Sequence, residues 1–187
     1  MTARKQTASL YAAAAALSMI ATSACADNPM VGGAPMYASK NIVENAVNSK
    51  DHTTLVAAVK AAGLVPTLSG AGPFTVLAPT NAAFAKLPAG TVDNLLKPEN
   101  KAQLTKILTC HVVGAEAFSK DIMKMVDDDK GEHKITTVGG CVWTAKYEGD
   151  KITVWDENGN AANVTIADVD QSNGVIHVID KVLLPKM

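Results

Sequence analysis

Helical spacing of apolar residues in the first half of the chain, strand-like alternation in the second half and hairpin-type turns between the strands predict an α+β domain. Ile42, Val43, Ala46 and Val47 share one helical face. Asp51 stands where it can cap a second helix, with Leu55, Val59 and Ala62 as its stripe and Gly63 as its terminator. Pro66 to Gly72 reads as loop, and Phe74 to Leu77 as a short strand stopped by Pro79. A third helix begins at Thr80-Asn81 and carries Phe84 and Leu87 inward. Thr91 caps a short turn holding Val92, Leu95 and Leu96. Pro98 opens the next helix, where Leu104, Ile107 and Leu108 share a face. After Val113 the period changes. Ile135–Val138, Val142–Tyr147, Ile152–Trp155, Asn163–Ala167 and a long closing run, Val175–Leu184, read as strands. Gly149-Asp150 and Asn158-Gly159 separate them as hairpin turns, the second of the kind that favours a tight I′ turn.

The chain has 187 residues, 48% hydrophobic and 19% charged, which predicts one globular domain plus accessory segments. The formal net charge is −1 and no basic tract occurs, so nucleic acid is not an expected partner.

Residues 1–26 read as a signal peptide. Arg4 and Lys5 form a positive start, no charge follows from Gln6 to Ala26, and Leu10 to Ile20 is Ala-rich and apolar. The run falls short of the roughly 20 apolar residues a membrane span requires. Ala24-Cys25-Ala26 fits a small-x-small cleavage site. Thr22-Ser23-Ala24-Cys25 is also a degenerate lipobox, with Thr22 where Leu usually stands, so acylation of Cys25 after cleavage before it is the competing outcome. Without Arg4 and Lys5 the balance is 15 basic against 18 acidic residues, a net −3. Residues 27–38, with Pro29, Gly32-Gly33 and Pro35, read as a flexible linker to a domain at 39–187. Met30 and Met36 lie in the linker without a neighbouring His, which suits a spacer better than a copper site.

Setting Cys25 aside leaves Cys110 and Cys141 as an even pair. In an oxidising compartment they are candidates for a disulfide; the other reading is two buried free thiols. No catalytic motif is present: no Gly-x-Ser-x-Gly, no His-Glu-x-x-His, no Cys-x-x-Cys and no phosphate-binding Gly loop. His177 alternates with apolar residues in a strand and reads as packed. Cys110-His111 are adjacent at a helix end and diverge, whereas a nucleophile and its base must converge. Asp127-Asp128-Asp129 and Lys130-Gly131 look like a solvated loop, since calcium loops need spaced ligands. Asp156-Glu157-Asn158-Gly159-Asn160 has calcium-ligand types but reads first as a hairpin turn. An enzyme, a metal and a cofactor are therefore not expected.

Two stretches carry a family resemblance. Phe74-Thr75-Val76-Leu77-Ala78-Pro79-Thr80-Asn81-Ala82-Ala83-Phe84-Ala85-Lys86-Leu87 resembles the first signature block of the fasciclin domain. Asn173-Gly174-Val175-Ile176-His177-Val178-Ile179-Asp180-Lys181-Val182-Leu183-Leu184-Pro185 resembles the second, and Leu108 to Val113 the segment between them, usually written with a Tyr-His pair. The resemblance spans Ser39 to the C-terminus and implies a β-wedge with helices packed across one side. Within the blocks, Thr80, Asn81, Phe84, Gly174 and His177 read as fold-specifying: Thr80 as a helix cap, Asn81 as a bond to the local turn, Gly174 for a sharp backbone turn.

The resemblance further implies an extracellular or cell-surface protein used in adhesion and matrix contact. In some animal members an Asp-Ile pair and the Tyr-His segment are implicated in integrin binding. The matching positions here are Asp168-Val169 and Cys110-His111, and Cys110 removes the aromatic ring, so integrin recognition does not carry over. The expectation is a secreted or surface-anchored module binding a cell-surface protein or polysaccharide, with Asp168, Val169 and His111 as candidate interaction residues. The alternative is a periplasmic small-ligand carrier using a cavity between wedge and helices.

Overall fold

The computed structural model describes residues 28–186. The signal-peptide and Cys25 expectations fall on residues outside that range.

A seven-stranded sheet organises the molecule. Its strands are β3 (Phe74–Pro79), β4 (Val112–Val113), β5 (His133–Thr136), β6 (Val142–Glu148), β7 (Lys151–Trp155), β8 (Ala161–Gln171) and β9 (Gly174–Ile179). They lie in the order β4-β3-β9-β8-β7-β6-β5. Only β3 and β9 run parallel, Phe74 opposite Gly174 through Pro79 opposite Ile179; the other pairs are antiparallel. The two motif blocks thus lie side by side at the centre of the sheet.

Both faces of β3 and β9 are covered, which explains why all six residues of β9 are buried. Val76, Ala78, Ile176 and Val178 point into a first core under the helices. Those helices are α1 (Ile42–Ala46), α2 (Thr53–Ala62), α3 (Val65–Leu68), α4 (Asn81–Ala85), α5 (Thr91–Leu95) and α6 (Lys101–Thr109). Leu77 and Ile179 point into a second core inside the wedge, with Trp143, Ala145, Ile152, Val154 and Ala162 from β6, β7 and β8. A further helix, α7 (Ser119–Asp128), closes this side through Ile122 and Val126.

Several local expectations change. Residues 27–38 are not a flexible linker where they are described. Met30–Val31 (β1) pairs with Ala34–Pro35 (β2) across Gly32-Gly33, both at positive φ as an I′-type turn requires. Val31 and Met36 are buried in the first core, while Met30 is exposed. The ordered domain therefore starts ahead of Ser39. Asp51 does not cap α2; it sits in a 3-10 turn, Lys50–His52. Gly90, not Thr91, precedes α5, and Pro98 opens a 3-10 turn ahead of α6. Asp127 and Asp128 end α7 instead of forming a loop. The closing strand stops at Ile179. The Asn158-Gly159 turn has positive φ at Gly159 alone and is built around the Asp156 carboxylate, which accepts from the backbone of Asn158 and Asn160 at 2.9 and 2.8 Å.

The first motif block works as a junction. Thr80 caps α4, its Oγ1 accepting from Ala83 N at 3.2 Å. Thr80→Ala should therefore cost about 1 kcal/mol, read as a lowered denaturant midpoint with unchanged slope. Asn81 bonds a remote turn, not the local one. Its Oδ1 accepts from Thr54 N at 3.0 Å and its Nδ2 donates to Lys50 O at 2.8 Å, so it supplies the N-terminal acceptor that α2 lacks. Gly174 has φ +148, and a Cβ there would stand 2.0 Å from Phe74 O. The close approach of β9 to β3 requires a glycine at that position.

Candidate functional site

Two clusters of polar residues lie within the fold, and each is centred on a buried histidine. The first lies where β9, β8 and α7 meet. His177 is 0% exposed and projects from β9 on the same face as Leu77. Its Nε2 donates to Ala117 O at 2.9 Å, and its Nδ1 accepts from Asp168 N at 3.2 Å. The backbone donor at Nδ1 fixes the neutral tautomer. Thr75, two residues away on the neighbouring strand, donates through Oγ1 to Ala115 O at 2.7 Å and accepts from Ala117 N at 2.8 Å. Together they pin the 114–117 segment leading into α7.

Asp168 completes this cluster. It stands at a bulge in β8, where the register with β9 shifts between Ile166 and Val169, and has φ 58. The bulge turns its carboxylate toward α7. One oxygen accepts from Ser119 N at 2.6 Å and the other from the Ser119 hydroxyl. Phe118, at the N-cap position, offers no oxygen, so Asp168 supplies both the acceptor and the negative charge favoured at a helix N-terminus.

The second cluster holds the C-terminal segment. Cys110 and Cys141 form a disulfide with a Cα separation of 5.4 Å. Next to it His111, 2% exposed, donates from Nδ1 to Ile107 O at 2.8 Å and accepts at Nε2 from Leu183 N at 3.0 Å. Asp156 accepts from Leu184 N at 3.1 Å, and Glu157 from Lys186 N at 2.9 Å. The chain after β9 is thus fastened through side-chain acceptors without a sheet ladder.

Burial holds all three interior histidines below their usual range. His111 is lowered from 6.5 to about 4, with its Ile107 bond and the Asp156 charge opposing the effect of burial. His52 and His177 shift in the same direction for the same reason. The unfolded chain therefore binds more protons than the folded one as the pH drops below 6.5. The His111 contribution is complete above pH 6.5 and is lost progressively down to about pH 4. By pH 5.5 it should lower stability by about 1 kcal/mol. Denaturant midpoints that stay flat from pH 7 to 4.5 would contradict this neutral, buried pair of hydrogen bonds.

Of the candidate interaction residues, Val169 is 1% exposed and His111 is committed on both nitrogens, so the folded domain presents neither side chain to a partner. Asp168 is exposed, but Ser119 engages both its oxygens. The structure brings Asp168 and His177 together and leaves His111 in the other cluster. Sequence reasoning missed Thr75 and Ser119, whose partners lie forty or more residues away. Among the described residues no helix is long and apolar enough to cross a membrane, and no cluster of His, Cys, Asp or Glu could hold a metal ion.

A cavity of about 310 Å³ opens between α7, β5 and the 113–117 segment. Leu77, Ile122, Trp143, Ala145 and Val154 form its buried apolar wall; Glu116, Asp121, Lys134 and Thr136 are exposed at its rim.

Comparison with known proteins agrees with this architecture. The fasciclin domain model matches residues 50–185. Protein sll1483 of Synechocystis sp. is 49% identical over 158 residues, covering 84% of this chain and 81% of that protein. Cell surface glycolipoprotein MPB83 of Mycobacterium bovis is 39% identical over 122 residues, covering 65% of this chain and 48% of that one. Among solved structures, the fasciclin domain pair of the insect cell adhesion molecule fasciclin I superposes with a TM-score of 0.52 at 25% identity, over 67% of this chain and 42% of that one. With the two motif blocks paired in parallel at the centre of its wedge, the chain belongs to the fasciclin domain family.

Proposed function

We propose that this chain is an exported binding module, secreted or held at the cell surface, that acts in adhesion or in envelope and matrix organisation. The observation that carries the reading is family membership, alongside relatives named as a cell surface glycolipoprotein and a cell adhesion molecule. The Cys110–Cys141 disulfide supports an oxidising compartment. The histidines an enzyme would have used are spent on holding backbone, with both ring nitrogens of His111 and His177 occupied. The partner is a cell-surface protein or polysaccharide.

A glycan and surface-protein binding screen with the mature domain, alongside pull-down on whole cells and purified matrix, tests the reading. Saturable capture of a surface component supports it; no binding in either format argues against it. Export has its own measurement. Mass spectrometry of the native protein should find a chain starting at Asp27 or at an acylated Cys25, and a cellular pool that retains Met1 would rule out both.

A further inference from the structure

We infer that the outer face of β5, β6, β7 and β8 is a docking surface for a neutral polysaccharide of sugars with equatorial hydroxyls, with Trp155 as its stacking platform. The inference rests on the reading of the chain as a binding module and names which of its two partner classes this face takes.

Alternate residues of these strands enter the second core, and the residues between them face outward. The strand register sets the outward residues in rows. One row runs Lys134, Thr144, Trp155 and Ala161; the next runs Lys146, Thr153 and Asn163. With strands about 4.8 Å apart, the first row spans about 14 Å, room for a short run of linked sugar rings. Trp155 is 38% exposed, and its directly opposed neighbours, Thr144 and Ala161, are too short to cover an indole. The ring is also braced. Lys146 Nζ lies 5.9 Å from its centroid, and Glu132 holds the same ammonium at 2.9 Å.

The second row offers polar groups already fixed in place. Thr153 Oγ1 donates to Asn163 Oδ1 at 3.3 Å, and Asn163 Nδ2 donates to Asp180 Oδ2 at 3.1 Å. Sugar hydroxyls both donate and accept, so they can join such a row with little ordering left to do. A pyranose with equatorial hydroxyls has C–H groups on its ring faces and hydroxyls around its edge. The faces suit the indole, and the edge suits Thr153 and Asn163.

Charge decides for an uncharged polymer. Lys146 is paired with Glu132, and Lys151 stands opposite Glu148 in register. Lys134 lines an open hollow together with Asp128, Asp129 and Glu132. The cations of this face are thus matched within the protein, whereas a nucleic acid or an acidic glycan needs cations to neutralise its own charge. A protein partner would need an apolar patch centre. Val142 and Trp155 are the only large hydrophobic side chains that these four strands expose.

Cellohexaose, a neutral oligosaccharide of the required kind, is titrated into the mature protein and followed by nitrogen-correlation NMR. The chain's two tryptophans give two indole N–H signals, assigned with Trp155→Phe. The Trp155 indole and the amides of Thr144, Thr153 and Asn163 should move to saturation, while the indole of buried Trp143 stays in place. Trp155→Ala should weaken binding by about tenfold or more with an unchanged denaturant midpoint, and Trp155→Phe should recover part of the loss. If Trp155→Ala does not fold, Thr144→Arg, which lays a long side chain along the row, should weaken binding to the same degree. Polygalacturonate and oligothymidylate should both bind more weakly than cellohexaose. No saturable shift, shifts confined to other surfaces, binding that Trp155→Ala leaves intact, or equal or tighter binding of either anion would overturn the inference. Whole-cell pull-down separates this failure from that of the binding-module reading. Cell capture without cellohexaose binding removes the glycan surface alone, and loss of both removes both.

Discussion

Phe84→Ala should lower stability by about 3–5 kcal/mol. Phe84 is 7% exposed and belongs to the first core, where α4 lies against the sheet beside buried Ala83. The helix is only five residues long, far below the length at which an isolated helix holds itself together. Its position depends on Thr80 at one end and on Phe84 in the core. Removing the ring leaves a hole that its neighbours cannot easily close. Val76 and Ala78 are fixed in a strand bonded on both edges, to β4 and to β9. The same truncation at exposed Val138 should change stability by less than about 0.5 kcal/mol. Denaturant midpoints decide the matter. Phe84→Ala level with the parent would mean that α4 is not anchored by that ring.

The parts of the fold that were legible in the sequence are those whose determinants are local. The stripe of Leu55, Val59 and Ala62 with Gly63 behind it gave α2 and its left-handed C-cap. The alternation in 142–155 gave β6 and β7 to within a residue. The misses have non-local causes. Helix α7 shows a stripe, Ile122 with Met125 and Val126, but no capping residue; its cap is Asp168, 49 residues later and aimed by a bulge that no spacing rule reveals. Asn81 looked like a turn residue because its real partners, Lys50 and Thr54, lie 31 and 27 residues upstream. The Gly32-Gly33 hairpin carried a usable local signal, outweighed in the reading by the flanking prolines. The cavity could not be read at all, since its wall draws on β3, α7, β6 and β7 at once.

Removing the Cys110–Cys141 crosslink should cost about 3–4 kcal/mol in the chain-entropy picture, given a sequence separation of 31. The bond's position makes the loss matter to the fold. Cys110 is the C-cap of α6, and Cys141 precedes β6, so the bridge ties the helical layer to the turn between β5 and β6. Its Cα separation of 5.4 Å falls within the ordinary range for disulfides. The surroundings are shaped to that approach. Gly139 N donates to Thr109 O at 3.0 Å, and a Cβ on Gly139 would stand 2.8 Å from Cys110 N and 2.9 Å from its Sγ. Cys141 O in turn accepts from Thr137 N at 2.9 Å. The aromatic residue that the fasciclin pattern places ahead of His111 is thus exchanged for one half of a crosslink. His111 keeps its own task of holding Leu183 N. The double variant Cys110→Ala/Cys141→Ala should unfold at a lower denaturant concentration and be indifferent to reductant. The parent protein should approach the same midpoint only when reductant is present. A thiol titration of the unfolded, unreduced protein that found both cysteines free would rule the bond out. A parent midpoint insensitive to reductant would show instead that the packing around Gly139 holds this corner without the bond.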